Sequence, residues 1–408
     1  MPGILIKSIG SIAAALVYQY YYGGGDTFNF YTDASYVHDL CIKDFSYFFY
    51  LMTSQPWINF PGELTEHFEY LNFLQDGPSW FVVRCLIPIS FFTFDSYIGE
   101  GLVFAVFSFY ASWRFFSLVC EIYPTLKQEL FYCVFAVPSV VFWGSGIFKD
   151  TLTTGGLLLF LYHIYNIFIL RKKVGSNILG ALIGFYIVYN IRLFFIVLIV
   201  PSFGLLYFVT VRDRIKNRLI KTISLPLLLL FSLVFAVFGI SRLTSGQGEL
   251  SREALTEKSK GFQSWHTEQG GSSYSLGDID YSNTGILKTM PLAINVTLFR
   301  PYLTEVHSFF QLISALQSLF FLLFSIRTLI RTRIIGFFNY LLSDSLAIFS
   351  FFFSLLYAFV AGFTSFNFGA LDRYKIPCLP FYMLSLVLIT YRYKEANRKA
   401  AERRYAVK

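Results

Sequence analysis

The chain has 408 residues, of which 55% are hydrophobic and only 14% charged, and its net charge is +8. A soluble domain carries about 25% charged residues, so this chain cannot cover a water-facing surface of ordinary size. A cytosolic enzyme, a disordered scaffold and a small secreted domain are excluded, leaving an all-α polytopic transmembrane helix bundle. The excess of Lys and Arg does not point to nucleic acid. It sits in short clusters between apolar runs, as in cytoplasmic loops.

Apolar runs fall at 3–22, 79–94, 97–119, 130–147, 151–170, 177–191, 193–211, 221–240, 303–328, 338–362 and 374–392. Several approach the roughly 20 residues that a helix needs to cross a bilayer. The first ends in tyrosines and Gly23–Gly24–Gly25 without a small-residue cleavage site, and reads as a retained signal anchor. Run 79–94 carries Arg84 and Pro88. A mid-span cation costs at least about 2.5 kcal/mol, so this run is predicted to lie in the outer interface. The remainder gives about ten spans with both termini cytoplasmic, in a plasma or inner membrane. One side then collects Arg171–Lys173, Arg212–Lys221, Arg327/Arg331/Arg333 and the basic tail 393–408. The other receives loop 23–96 with interfacial amphipathic helices, turn 148–150, the tip at Arg192, loop 241–302 and segment 363–373. Loop 241–302, rich in Gly and Ser, is predicted to be a flap or binding loop. No internal repeat divides the chain, which reads as one integral-membrane domain.

The polar residues of interest fall on that second side. Gly23–Gly24–Gly25 lets the backbone turn sharply before Asp26, and Asp33 lies two helical turns further on one face. The plain alternative is a helix N-cap. Lys149 and Asp150 follow Pro138, Gly144 and Gly146, which loosen the preceding run; they also suit ordinary interfacial anchors. Arg192, Arg300 with nearby Glu305, and Asp372, Arg373 and Lys375 complete the set. The positive-inside rule disfavours cations on this side, and phosphate binding is a physical reason to keep them there. Snorkelling to headgroups is the competing reading. Glu100 and Arg114 lie on the two halves of run 97–119 and need not pair. The five histidines, His38, His67, His163, His266 and His307, show no metal spacing, and five scattered cysteines imply neither a disulfide framework nor a metal site.

One span, a long outer loop opening on Asp26, interfacial helices, and a second acidic site after Phe142-Trp143-Gly144-Ser145-Gly146 make a layout that resembles the GT-C class of integral-membrane glycosyltransferases. The resemblance implies a sugar donated from a polyprenyl-phosphate carrier to a glycan, lipid or protein acceptor. It implies Asp26 as the base and Asp150 as a supporting carboxylate, with Asp33 a further catalytic candidate. Lys149, Arg192, Arg300, Arg373 and Lys375 become phosphate-binding candidates, with Glu305 and Asp372 beside them. The first loop has no Asp-x-Asp pair, so a divalent metal is not indicated. No large C-terminal soluble domain follows, so acceptor recognition is left to loop 241–302. Membrane polysaccharide polymerases and ligases, which also use outer-face arginines, are an alternative. A non-enzymatic transporter or scaffold is another, but it needs polar residues through the bilayer centre, where the chain offers few beyond His163, Asn190 and Asp344.

Overall fold

The computed structural model describes residues 2–53, 70–212, 215, 223–224, 226–231, 273–277 and 283–406. Among these the chain is helical, with only an isolated antiparallel bridge between Ser273 and Asn367. Seven helices are long and apolar enough to cross a membrane, or eight if Phe368–Tyr374 and Leu379–Tyr405, bent by 64°, count as one broken span. The chain is thus a multi-pass helical membrane protein. Most of the expected run 221–240, residues 54–69 of loop 23–96, and most of loop 241–302 lie outside the described residues.

The chain forms two compact units, one of Met1–Thr125 with Val134–Leu193 and one of Leu126–Cys133 with Phe194–Lys408. In the first, α1 (Pro2–Leu16) continues as a π turn to Tyr21. It is followed by α2 (Asp26–Lys43), α3 (Ser46–Thr53), α4 (Gly77–Thr93) and α5 (Tyr97–Ile122). Small residues set the helix spacing, because lipid tails provide no hydrophobic drive for helices to associate. A Cβ on Gly10 would lie 2.2 Å from the Val141 carbonyl oxygen. Helix α4, expected in the interface, buries Trp80, Val82, Val83, Leu86 and Ile87 in a cluster with Phe30, Ala34 and Val37 of α2. Arg84 donates to the Leu51 carbonyl at 2.9 Å.

The run 130–147 departs from expectation. It is not one span but two short helices, α6 (Lys127–Phe135) and α7 (Pro138–Trp143), followed by a turn. Pro138 has no N–H to donate and drives the preceding residue out of helical conformation. Side chains from other helices then satisfy the carbonyls at the end of α7. Lys7, buried on α1, donates from Nζ to the oxygens of Val140 (3.2 Å) and Gly144 (3.1 Å). Ser108 donates to Gly144 at 2.6 Å. The charge-based topology counts this run as one crossing, and the structure divides it. Helices α8 (Lys149–Tyr165, extended by a π turn to Leu170) and α9 (Val174–Arg192) complete the unit. They pack closely enough that a Cβ on Gly184 would meet the Gly156 carbonyl oxygen at 2.8 Å.

The second unit contains α10 (Phe194–Val211), α11 (Asn283–Phe299), α12 (Phe309–Leu342), α13 (Ser345–Ser365), α14 (Phe368–Tyr374) and α15 (Leu379–Ala406). At 1.5 Å per residue α12 would be ~51 Å long, far more than the ~30 Å hydrocarbon core. It breaks at Arg333, whose φ of 58° and ψ of 160° are not helical. Gly362 lets α13 approach α11, since a Cβ there would lie 2.2 Å from the Ala293 carbonyl oxygen. Asp344, expected among polar residues of the bilayer centre, instead caps α13, accepting from the N–H groups of Leu346 and Ala347, and pairs with Arg392 at 2.8 Å. The other two such residues are also satisfied locally. His163 pairs with Asn177 at 2.7 Å, and Asn190 donates to Tyr186 of its own helix.

Candidate functional site

One end of the first unit gathers most of its predicted site residues. Gly23, Gly24 and Gly25 adopt φ of 67°, 139° and 115°, which side chains avoid, and so turn the chain from α1 into α2. Gly25 is doubly constrained, because a Cβ there would lie 3.0 Å from the Tyr18 ring. Asp26 opens α2 and is exposed. A carboxylate suits that position, at the positive end of the helix dipole. Tyr18 packs edge-on against Phe148 and Trp143, with centroids 5.5 and 6.1 Å away. The start of α8 is thereby brought to the end of α1, and Thr27 meets the Tyr97 hydroxyl of α5 at 3.2 Å.

Lys149 and Asp150, adjacent in sequence, take different partners. Lys149 donates to Asp76 at 2.9 Å, where α4 begins, and both side chains reach solvent. Burial alone would push the Asp76 carboxyl up, but hydrogen bonds from Ser79 and Lys149 outweigh it and hold the pKa below the usual range. Asp150 is fully buried and pairs with Arg192 at 2.8 Å. The acid lies in the first turn of α8 and the cation in the last turn of α9, so both helix dipoles favour the arrangement.

Asp33, a catalytic candidate by sequence, serves as a clamp here. Its oxygens accept from the Asn72 backbone N–H (2.9 Å), the Asn72 amide (2.7 Å) and the Phe73 N–H (2.9 Å). Burial raises its pKa despite these donors. The geometry gives it a positioning role, tying residues 72–73 to α2.

A second cluster lies in the other unit. Arg300, just after α11, pairs with Glu305 through Nε at 3.1 Å and through Nη2, and the Tyr302 N–H adds a bond to Glu305 at 2.8 Å. Burial raises the Glu305 pKa, but Arg300 and Tyr302 outweigh it and leave it lowered. The guanidinium also faces the rings of Phe368, Tyr302 and Tyr274 at 5.2, 5.7 and 6.0 Å, a desolvated setting that strengthens cation–π attraction. Lys375 is buried against Asp372 (2.7 Å) and the Ser314 hydroxyl (3.1 Å), with the Arg300 carbonyl at 3.5 Å. Ser314 and Ser318, one turn apart on α12, present hydroxyls to this cluster, and Ser318 donates to the Arg300 carbonyl at 2.9 Å. The structure thus joins Arg300, Glu305, Asp372 and Lys375, while Arg373 is partly exposed on the same short helix as Asp372.

Besides Asp344, two buried charged residues stand outside the site candidates drawn from the sequence. Lys7 is one. The other is Glu100, fully buried in the first turn of α5, with neither carboxylate oxygen hydrogen-bonded among the described residues. The available signal was a lone charge inside an apolar run, which is rare enough to mark. Arg114 does not pair with Glu100 but lies over the Tyr162 ring at 4.3 Å. Among the described residues no group of three or more His, Cys, Asp or Glu is placed to hold a metal ion, and His67 and His266 lie outside them. No protein-family model, curated protein or solved structure matches the chain.

Proposed function

We propose that the chain is a membrane glycosyltransferase that moves a sugar from a polyprenyl-phosphate carrier to an acceptor at the outer face of the membrane. In this reading about ten spans place both termini in the cytoplasm. The observation that carries it is the polar end of the first unit, where the exposed carboxylate of Asp26 follows the glycine turn packed on Tyr18, and Tyr18 in turn packs on Phe148 beside Lys149 and the Asp150–Arg192 pair. Displacing a lipid phosphate from an anomeric carbon builds negative charge on the leaving oxygen, and pre-placed cations stabilise it. Asp150 orients Arg192, whose guanidinium supplies the positive charge that a departing phosphate needs. Asp26 takes the proton of the acceptor hydroxyl, general-base help worth roughly 10²–10⁴-fold.

A specific observation favours a second reading, polymerisation or ligation of lipid-linked glycans. Joining two lipid-linked chains requires holding two phosphates, and the second unit has its own cations in Arg300 and Lys375. The test is transfer from a panel of polyprenyl-phosphate sugars by the full-length protein in proteoliposomes. Asp26→Asn should lower transfer by about 10²-fold or more with insertion unchanged; wild-type turnover removes Asp26 as base. Loss of elongation alone in Arg300→Gln, with the first transfer retained, selects the polymerase reading.

A further inference from the structure

A cavity of about 180 Å³ opens in the second unit, between α12, α15 and the segment that begins at Leu126. Liquid water occupies roughly 30 Å³ per molecule, so the space holds about six waters or one small polar headgroup. Arg327, Arg331 and Lys394 line it, with Glu129 the one acid on its wall. Among the described residues none of these three cations forms an ion pair, whereas Arg392, Arg398 and Lys399 on α15 all have carboxylate partners. The wall is also apolar in part, through Leu126, Phe324 and Val387.

The surface of α12 supplies the second half of the argument. Leu316, Phe320 and Leu323 are all exposed, at 52%, 49% and 56%. Their spacing continues through Arg327 to Arg331, so apolar side chains and arginines form one stripe along a single helix face. From Leu316 to Arg327 the helix rises ~16 Å, about half of the ~30 Å hydrocarbon core. An acyl chain laid on that stripe ends where the cationic cavity begins. A free anion has no use for the stripe or for the apolar wall; a phospholipid uses both.

We infer that this cavity is a binding site for an anionic phospholipid, whose phosphate sits among Arg327, Arg331 and Lys394 and whose acyl chain follows the Leu316–Phe320–Leu323 stripe. It is separate from the residues assigned to transfer. Arginine suits the phosphate oxygens as a planar fork, and lysine adds a point charge. Glu129 opposes the phosphate and sets a ceiling on affinity.

The test uses the full-length protein in phosphatidylcholine nanodiscs doped with phosphatidylglycerol, with retained lipid counted by native mass spectrometry. The wild type should retain one phosphatidylglycerol in preference to phosphatidylcholine. Arg331→Gln and Lys394→Gln should each weaken retention about fivefold, the worth of one cation near anionic lipid. Glu129→Gln should strengthen it by a similar factor, a change that misfolding cannot imitate. Arg333→Gln removes the same charge from α12 outside this cavity and should leave retention unchanged. Equal retention across the cavity variants overturns the site. So does a loss in Arg333→Gln equal to that in Arg331→Gln, and so does displacement of the lipid by inorganic phosphate.

Discussion

The two units bury the same kind of ion pair from opposite ends. In the first, the acid is sealed, with Asp150 at 0% exposure and Arg192 at 15%. In the second, the cation is sealed, with Lys375 at 1% and Asp372 at 12%. The reachable member therefore differs. Arg192 keeps a path to an anion in the first unit, whereas in the second Lys375 has none and instead holds the Ser314 and Asp372 side chains in place next to the more exposed Arg300. Burial direction, more than the number of cations, decides which groups are open to a phosphate.

The largest expected effect comes from breaking these pairs singly. Removing one partner of a buried pair costs about 3–5 kcal/mol, because it strands an uncompensated charge. Arg192→Leu should reach that range, since it leaves Asp150 fully buried. Lys375→Met should cost less, because Asp372 retains some exposure and its bond from Ser314. Thermal unfolding of the two variants in detergent checks the ranking. Equal losses would mean that burial direction is energetically irrelevant. The Asp150→Asn/Arg192→Leu double variant should lose less than the sum of its singles, as coupled neighbours do.

Both units also rely on a glycine where two backbones nearly touch, Gly10 against Val141 and Gly362 against Ala293. Gly10→Ala and Gly362→Ala should each destabilise by about 1–3 kcal/mol through overpacking. Gly204 on α10 meets nothing within 4 Å. There the same substitution should add up to about 1 kcal/mol of helix propensity. A loss at Gly204, or no loss at the other two, would break the link between close approach and cost.

Hydropathy placed most of the long helices well, because a span is a local property of some twenty consecutive residues. Runs 97–119, 151–170 and 193–211 became single helices close to their expected bounds. It misplaced 130–147 because an average over residues ignores Pro138 and the donors that Lys7 and Ser108 bring from other helices. The site was partly legible for a similar reason. Arg300 and Glu305 are near neighbours in sequence and do pair, whereas the partners of Lys149, Asp150 and Asp33 depend on how separate helices pack. Rarity of charge pointed to residues that the fold holds in ion pairs, among them Asp150, Arg192, Arg300 and Lys375. It carried no information about which of them would be neutralised by a partner.

The smallest effect is a pH dependence whose sign differs between the units. Glu305 has a lowered pKa in the fold, its Arg300 and Tyr302 partners outweighing burial. Its contribution is present above the unfolded value of 4.5 and disappears as pH falls through the folded value. The pair is partly exposed, so the loss should be about 1 kcal/mol or less. Asp33 is raised by burial, so the ionised form costs the fold stability. Relative to the unfolded chain, its stabilising contribution is present below the unfolded value of 3.8 and is lost as pH rises through the folded one. Acidification should therefore gain stability through Asp33 and lose it through Glu305. Thermal midpoints across that range, taken as differences from wild type, isolate each group. Glu305→Gln should remove the loss and Asp33→Asn the gain; if both difference curves bend the same way, the two carboxylates are held by the same balance of burial and donors.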